Sequence, residues 1–223
     1  AGPLNTITYT YYPNGKLKSE TNTLNQKTEY YYDSRNQPTE TRRFTDTTNY
    51  ISEKKTYDGF SRLISQVDPN NNTTTFVYNL DDQLTTKTDS KGNVTTYTYD
   101  KNGNKTGELL PRAQSDLALR NSEGYSNSFK YDGANRLIKT INAQNKETWR
   151  YYDTEDNLTK VIDRQDSTLT NNTRVKQYTY DNLDRLTKEA DNYNAIVSST
   201  YDQVGNLLTK TDQMSRTTNY TYD

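Results

Sequence analysis

The stretch Lys91-Gly92-Asn93-Val94-Thr95-Thr96-Tyr97-Thr98-Tyr99-Asp100 holds a turn, a strand and the opening of the next turn. Tyr97 and Tyr99 alternate with Thr96 and Thr98, and a period of two puts both rings on one face of a strand. Thr, Tyr and Val suit a pleated, half-buried surface. Asp100 then opens Asp-Lys-Asn-Gly. Asp fits the first position of a type I turn and Gly the fourth, where the chain often needs positive φ.

This unit recurs down the chain. Aligned tyrosines stand at Tyr11, Tyr32, Tyr57, Tyr78, Tyr99, Tyr131, Tyr152, Tyr180, Tyr201 and Tyr222. Six of the nine spacings are 21 residues and the other three are longer, which makes a 21-residue repeat with three insertions. A first turn follows each tyrosine, as in Asp58-Gly-Phe-Ser61 and Asp202-Gln-Val-Gly205, and Leu usually stands two residues beyond it. A second turn begins eleven residues after the tyrosine, as in Asp89-Ser-Lys-Gly92 and Asp212-Gln-Met-Ser215. Each repeat is therefore two strands and two tight turns. Connections this short make successive strands antiparallel. The fold class is all-β, an antiparallel meander of about twenty short strands.

Leu, Ile, Val and Phe number only 35 of 223 residues, a level at which disorder is a fair suspicion. Disorder of that kind also needs high net charge. Here 28 basic and 29 acidic residues nearly cancel, and 21 tyrosines supply the missing rings. Evenly scattered basic residues argue against a nucleic-acid partner. No apolar run approaches ~20 residues, so no membrane span is expected.

Period two extends to the neighbours of seven of the ten aligned tyrosines, Lys55, Arg150 and Ser199 being the exceptions. Tyr9, Tyr30, Phe76, Tyr97, Phe129, Tyr178 and Tyr220 precede the aligned tyrosine by two and share its face. On the return strand the same face is expected to take the Leu and, four residues on, Val67, Ile141, Ile162 or Ala190. Pro38 and Lys105 replace that Leu, so their strands are expected to be weak or peripheral. Trp149 and Tyr151 fall out of phase with Tyr152 and mark either a covered polar face or a bulge. The insertions fall near 43–49, 107–125 and 164–172, on one edge, in a single strip spanning residues 1–223. Leu117-Ala118-Leu119 suggests a short helical turn.

Three segments carry a family pattern: Tyr131-Asp132-Gly-Ala-Asn-Arg136-Leu137, Tyr180-Asp181-Asn-Leu-Asp-Arg185-Leu186 and Tyr201-Asp202-Gln-Val-Gly205-Asn206-Leu207. The pattern resembles the YD repeat of the RHS family over essentially the whole chain. Departures are Tyr12-Pro13 after Tyr11, Asn79 for Asp, and Pro38 for Leu. The resemblance implies a curved strip or spiral, part of a hollow shell. Bacterial members use such a shell to enclose a toxic C-terminal region, and teneurins carry a similar one at the cell surface. It implies as partners the rest of a longer YD-repeat chain and an enclosed toxin polypeptide, in a secreted or bacterial surface protein. The family's closing module, with its self-cleaving aspartates, has no counterpart here.

The chain has no His and no Cys, so serine–histidine, cysteine–histidine and histidine–metal chemistries are excluded within it. The paired carboxylates Asp81-Asp82 read as a solvated turn. Asp68-x-Asn70-x-Asn72 is a faint echo of a calcium loop but lacks the Glu at the twelfth position. No cofactor or metal is expected, and no catalytic residue. The leading function is a structural, non-catalytic shell segment. The alternative is a binding module in which Trp149 and Tyr151 contact a glycan or a protein. A third reading is a self-assembling filament joined through the terminal strands. Those strands are both tyrosine-type and run the same way, which opposes seamless head-to-tail addition.

Overall fold

A computed structural model describes residues 6–164, 173–192 and 196–223. Beyond Arg164 the third expected insertion lies outside them, as do Tyr193 and Asn194 of one second turn. The described residues form two compact units, one running to Tyr97 and the other from Thr98 to Asp223. The first unit holds β1 (Thr8–Tyr11), β2 (Leu17–Thr21), β3 (Lys27–Tyr32), β4 (Pro38–Phe44), β5 (Tyr50–Tyr57), β6 (Leu63–Val67), β7 (Thr73–Tyr78), β8 (Leu84–Thr88) and most of β9 (Val94–Tyr99). The second holds β10 (Lys105–Leu109), α1 (Pro111–Ser115), β11 (Asn127–Tyr131), β12 (Leu137–Asn142), β13 (Glu147–Tyr152) and β14 (Leu158–Arg164). It continues with β15 (Thr173–Tyr180), β16 (Leu186–Asp191), β17 (Ile196–Tyr201), β18 (Leu207–Thr211) and β19 (Thr217–Asn219). Within each unit every strand pairs antiparallel with the next, giving a plain meander.

The first turns are built by their opening Asx residue. Asp100 Oδ1 accepts the N–H of Asn102 and of Asn104, each at 2.9 Å, and Gly103 N–H closes onto the Asp100 carbonyl at 3.1 Å. Asn79 performs the same task without a charge, accepting from Asp81 and Gln83. The fourth turn position has positive φ throughout: Gly15, Asn36, Ser61, Asp82, Gly103, Asn135, Asp156, Asp184 and Gly205. Those residue types visit the left-handed region at least cost, which is why the position varies so little. The second turns repeat the geometry at Asn71, Gly92, Asn145 and Ser215, and also at Asn25.

A β-bulge precedes every aligned tyrosine whose hairpin register is resolved. Thr56 faces Ser65, but Tyr57 faces Leu63, so Ile64 is the extra residue. The same shift recurs at Tyr11, Tyr32, Tyr78, Tyr131, Tyr152, Tyr180 and Tyr201. The bulge at Tyr151/Tyr152 is therefore the general rule and not a local exception. It also corrects the expected face assignment. Counting in twos through the extra residue placed Val67, Ile141, Ile162 and Ala190 beside the tyrosines. Their actual partners are Lys54, Ser128, Trp149 and Gln177, an odd number of positions from the aligned tyrosine and so on the opposite face.

The Pro38 expectation is also corrected. The strand it opens, β4, has seven residues and is paired on both sides. Proline is tolerated at the first residue of a strand, where a ladder donor is dispensable. The β10 strand opened by Lys105 meets β11 over only two residue pairs.

Packing is thin. Among the described residues the buried hydrophobic side chains are Ala113 and Ile141, and the aligned tyrosines are half-buried or exposed. Apart from Ser19 on β2, the buried residues gather around the 107–125 insertion, which folds as α1 and a 3₁₀ turn at Leu117–Leu119. Asn121, 5% exposed, donates to Ser128 Oγ and to the Ile141 carbonyl, which pins the insertion to β11 and β12. The 43–49 insertion is a hairpin loop in which Asp46 accepts from Thr48 and Asn49.

Candidate functional site

The recurrent functional geometry lies between repeats. Strands opened by the Leu, here called Leu-type, peel away from the next tyrosine-type strand at their first two residues. On β6, for example, the register with β7 stops at Ser65, leaving Ile64 and Leu63 without a ladder partner there. The aligned tyrosine fills the gap. Tyr78 Oη donates to the Leu63 carbonyl at 3.0 Å. Tyr57 does so to Pro38, Tyr131 to Lys105, Tyr152 to Leu137, Tyr180 to Leu158, Tyr201 to Leu186 and Tyr222 to Leu207, all at 2.9–3.1 Å. Each bond ties a repeat to its predecessor, and three of them cross the insertions. Burial holds the Tyr131 and Tyr180 phenols above their ordinary pKa. Tyr32 is met edge-on by Tyr12 at 6.1 Å, and Tyr11 is 60% exposed on the first strand.

A second tie runs along the first-turn edge and was not foreseen from the sequence. Arg62 Nε donates to Asp58 Oδ2 in its own turn. Its Nη1 reaches the Asn79 carbonyl and Asp82 of the next turn, and the guanidinium lies 5.1 Å from the Tyr78 ring centre. Arg136 repeats this with Asp132, Asp153, Asp156 and Tyr152, and Arg185 with Asp181, Asp202 and Tyr201. The signal was present: Arg stands five residues after the aligned tyrosine in each of the three. Elsewhere the place is taken by Lys16, by Gln37 and Gln83, or by Asn104, Asn157 and Asn206; Gln37 donates to the Ser61 carbonyl and Asn157 to Asp184. A planar guanidinium can serve a carboxylate, a carbonyl and a ring face together, which an ammonium cannot. The Asp132 carboxyl is held below its usual pKa by the backbone N–H and guanidinium of Arg136, and that of Asp100 by the Asn104 amide.

The opposite face of the first unit carries a charged ladder. Arg42 lies between the Tyr31 and Tyr50 rings, at 4.4 and 4.7 Å, and donates to Tyr31 Oη and Glu40. The bond to Glu29, with burial, pushes the Tyr31 phenol up to about 12. Trp149 and Tyr151 share the corresponding face of the second unit. Trp149 is half-buried, its Nε1 donates to Glu147, and Lys139 Nζ sits 4.5 Å from its ring centre. Tyr151 is 44% exposed with Lys160 over its ring. The Asp68 carboxylate accepts from Asn70, from the Asn72 backbone and from the Asn72 amide, so the calcium-like spacing is a turn. Among the described residues no group of three or more Asp or Glu is placed to hold a metal ion.

A family model described as RHS Repeat matches residues 57–89, 78–114 and 131–168. These stretches of the chain are RHS repeats. The matched stretches include the Tyr78 and Tyr152 bonds and the Arg62 and Arg136 clamps. No curated protein matches this RHS-repeat chain. Its fold is that of solved toxin-complex structures. It aligns with a Photorhabdus luminescens Tc holotoxin pore carrying a TccC3 mutation, at a TM-score of 0.59 and 15% identity, over 93% of this chain and 13% of that one. It aligns with TcdB2-TccC3 lacking the hypervariable C-terminal region at a TM-score of 0.57 and 14% identity, over 92% and 13%. The RHS-repeat chain therefore spans a small fraction of the length of the chains it resembles. No helix among the described residues is long and apolar enough to cross a membrane.

Proposed function

We propose that this RHS-repeat chain is a non-catalytic wall segment of a β-shell, part of a longer chain in a secreted or bacterial surface protein. In this reading the shell encloses a toxic C-terminal polypeptide. The observation that carries it is the phenol-to-carbonyl bond between repeats, present at least seven times among the described residues and spanning every insertion. The most regular side chains in the sequence are spent on holding one repeat to the next, as a wall requires. A glycan-binding or protein-binding role at Trp149 and Tyr151 has less support, because the Trp149 indole N–H and one face of its ring are occupied by Glu147 and Lys139. The test is protease protection. A cleavable reporter fused after the wall of the full-length parent should survive added protease while the shell is intact. Cleavage at the rate of the free reporter would remove the enclosure reading.

A further inference from the structure

Three first turns carry an aspartate at the fourth, left-handed position: Asp82, Asp156 and Asp184. Two of them are neutralised from the preceding turn, Asp82 by Arg62 at 2.8 Å and Asp156 by Arg136 at 2.7 Å. Asp184 meets Asn157 instead, whose amide donates to Oδ1 at 2.8 Å and brings no charge. Where arginine is replaced in the other turns, the fourth position that follows is neutral: Asn36 after Lys16, Ser61 after Gln37, Gly103 after Gln83 and Asn135 after Asn104. The exchange at Asn157 also frees an acceptor behind it. Asp153 takes the Glu155 and Asn157 N–H groups on Oδ1. Its Oδ2, the atom that holds the guanidinium in the Arg62 and Arg136 turns, has no hydrogen-bond partner among the described residues.

Between these two turns, on the first-turn edge of the second unit, lies a cavity of about 510 Å³. Asp153, Glu155, Asn157, Tyr180, Asp181 and Asp184 line it, and no Lys or Arg does. Asp181 is paired with Arg185, but Asp153, Glu155 and Asp184 form no ion pair among the described residues. Nor are they placed to hold a metal ion together. The Tyr78, Tyr152 and Tyr201 rings each carry a guanidinium at 4.9–5.1 Å, whereas no cation of the described residues lies over Tyr180. We propose that this cavity is a socket for the arginine side chain of another polypeptide. Its acceptors are the set that holds a guanidinium elsewhere in the same chain. Arg136 is served by Asp132, the Asp153 carbonyl, Asp156 and the Tyr152 ring; the corresponding groups here are Asp153, the Asp181 carbonyl, Asp184 and the Tyr180 ring. The Asp181 carbonyl accepts the Asp184 N–H and keeps a second lone pair, as the Asp202 carbonyl does when it takes both Gly205 and Arg185. A planar fork suits several acceptors and a ring face together, which selects arginine over lysine. Three uncompensated carboxylates around one opening also draw cations toward it.

The test is a nitrogen-15 NMR titration of the full chain with a tripeptide blocked at both ends and carrying arginine between two glycines. Saturable shifts are expected at the Asn157 side-chain amide and the Asp184 N–H, and none at Asp82, where Arg62 already sits. The citrulline version of the peptide keeps the shape, loses the charge and should shift neither; the lysine version should bind more weakly. Asp184→Asn should weaken the arginine peptide roughly two- to fivefold, as loss of an exposed charge pair does. Asn157→Arg supplies the guanidinium from within the chain. It should abolish the shifts and raise the urea midpoint, which also shows that the variant folds. Free arginine, whose own carboxylate would meet Asp153 and Glu155, should bind more weakly than the blocked peptide. Tighter binding of free arginine would overturn the assignment to a polypeptide. Equal shifts from the arginine, lysine and citrulline peptides, no saturable shift at Asp184, or undiminished binding to a folded Asn157→Arg chain would overturn the socket itself.

Discussion

Tyr152→Phe removes one oxygen and keeps the ring, which separates two accounts of why the chain repeats tyrosine. If the ring matters only by packing, phenylalanine is neutral or slightly stabilising, since it is the more apolar side chain. In the structure the lost atom is the donor to the Leu137 carbonyl at 3.1 Å, at a place where the bulge has taken the strand out of its ladder. One net hydrogen bond contributes about 0.5–1.5 kcal/mol, and a carbonyl left unpaired adds more only where water is excluded. Tyr152 is half-buried, so a destabilisation of about 1 kcal/mol is expected. Tyr201→Phe, which breaks the bond to Leu186, should have a similar effect, and the two together about twice as much. The assay is urea unfolding followed by far-ultraviolet circular dichroism. The loss sits at an interface between repeats, where the cooperativity of stacked units resides, so the transition should also broaden. Wild-type midpoints for both single variants would refute the reasoning.

Arg136→Lys should lower the urea midpoint, and Arg136→Gln should lower it further, because an ammonium cannot hold Asp132, the Asp153 carbonyl and the Tyr152 ring at once. Gly107→Ala would bring a methyl group within 2.7 Å of the Tyr125 ring and 2.6 Å of Thr98 Oγ1. Overpacking of this kind should cost about 1–3 kcal/mol, read by the same unfolding assay, with the insertion opening first in amide exchange. Acid should weaken the turns. The carboxyls of Asp68, Asp89 and Asp212 are held below their usual pKa, first by bonds from Asn72, Asn93 and Arg216. The folded state thus favours the charged form, and its contribution is complete above the unfolded carboxyl pKa of about 3.9. Urea midpoints should be level from pH 7 to 5 and fall progressively below about pH 4. A profile flat to pH 2 would contradict this.

What the sequence made readable was local. Asp100 and Gly103 announce their turn because the three bonds that shape it close within five residues. The repeat length follows from the same punctuation, and with it the meander. The face of Ile141 was not readable, because the extra residue at Ile138 has no chemical mark; Thr, Ile, Lys and Leu all occupy the equivalent position. The phenol bonds were hidden for a related reason. Their acceptors are backbone carbonyls, which any residue supplies, so Pro38 and Lys105 serve as well as Leu. The arginine clamps were the recoverable omission, since the spacing of Arg136 and Arg185 from Tyr131 and Tyr180 is part of the repeat itself. Trp149 stood out as an unusual residue, yet nothing in the pattern told that Glu147 and Lys139 would occupy its N–H and its ring.

The wall account is tested most directly by electron microscopy of the purified 223-residue chain together with its mass in solution. The account predicts monomers seen as single short arcs, with no growth on raising the concentration. Regular filaments or closed rings made of this chain alone would contradict it, and would mean that β1 and β19 find partners without any Leu-type strand.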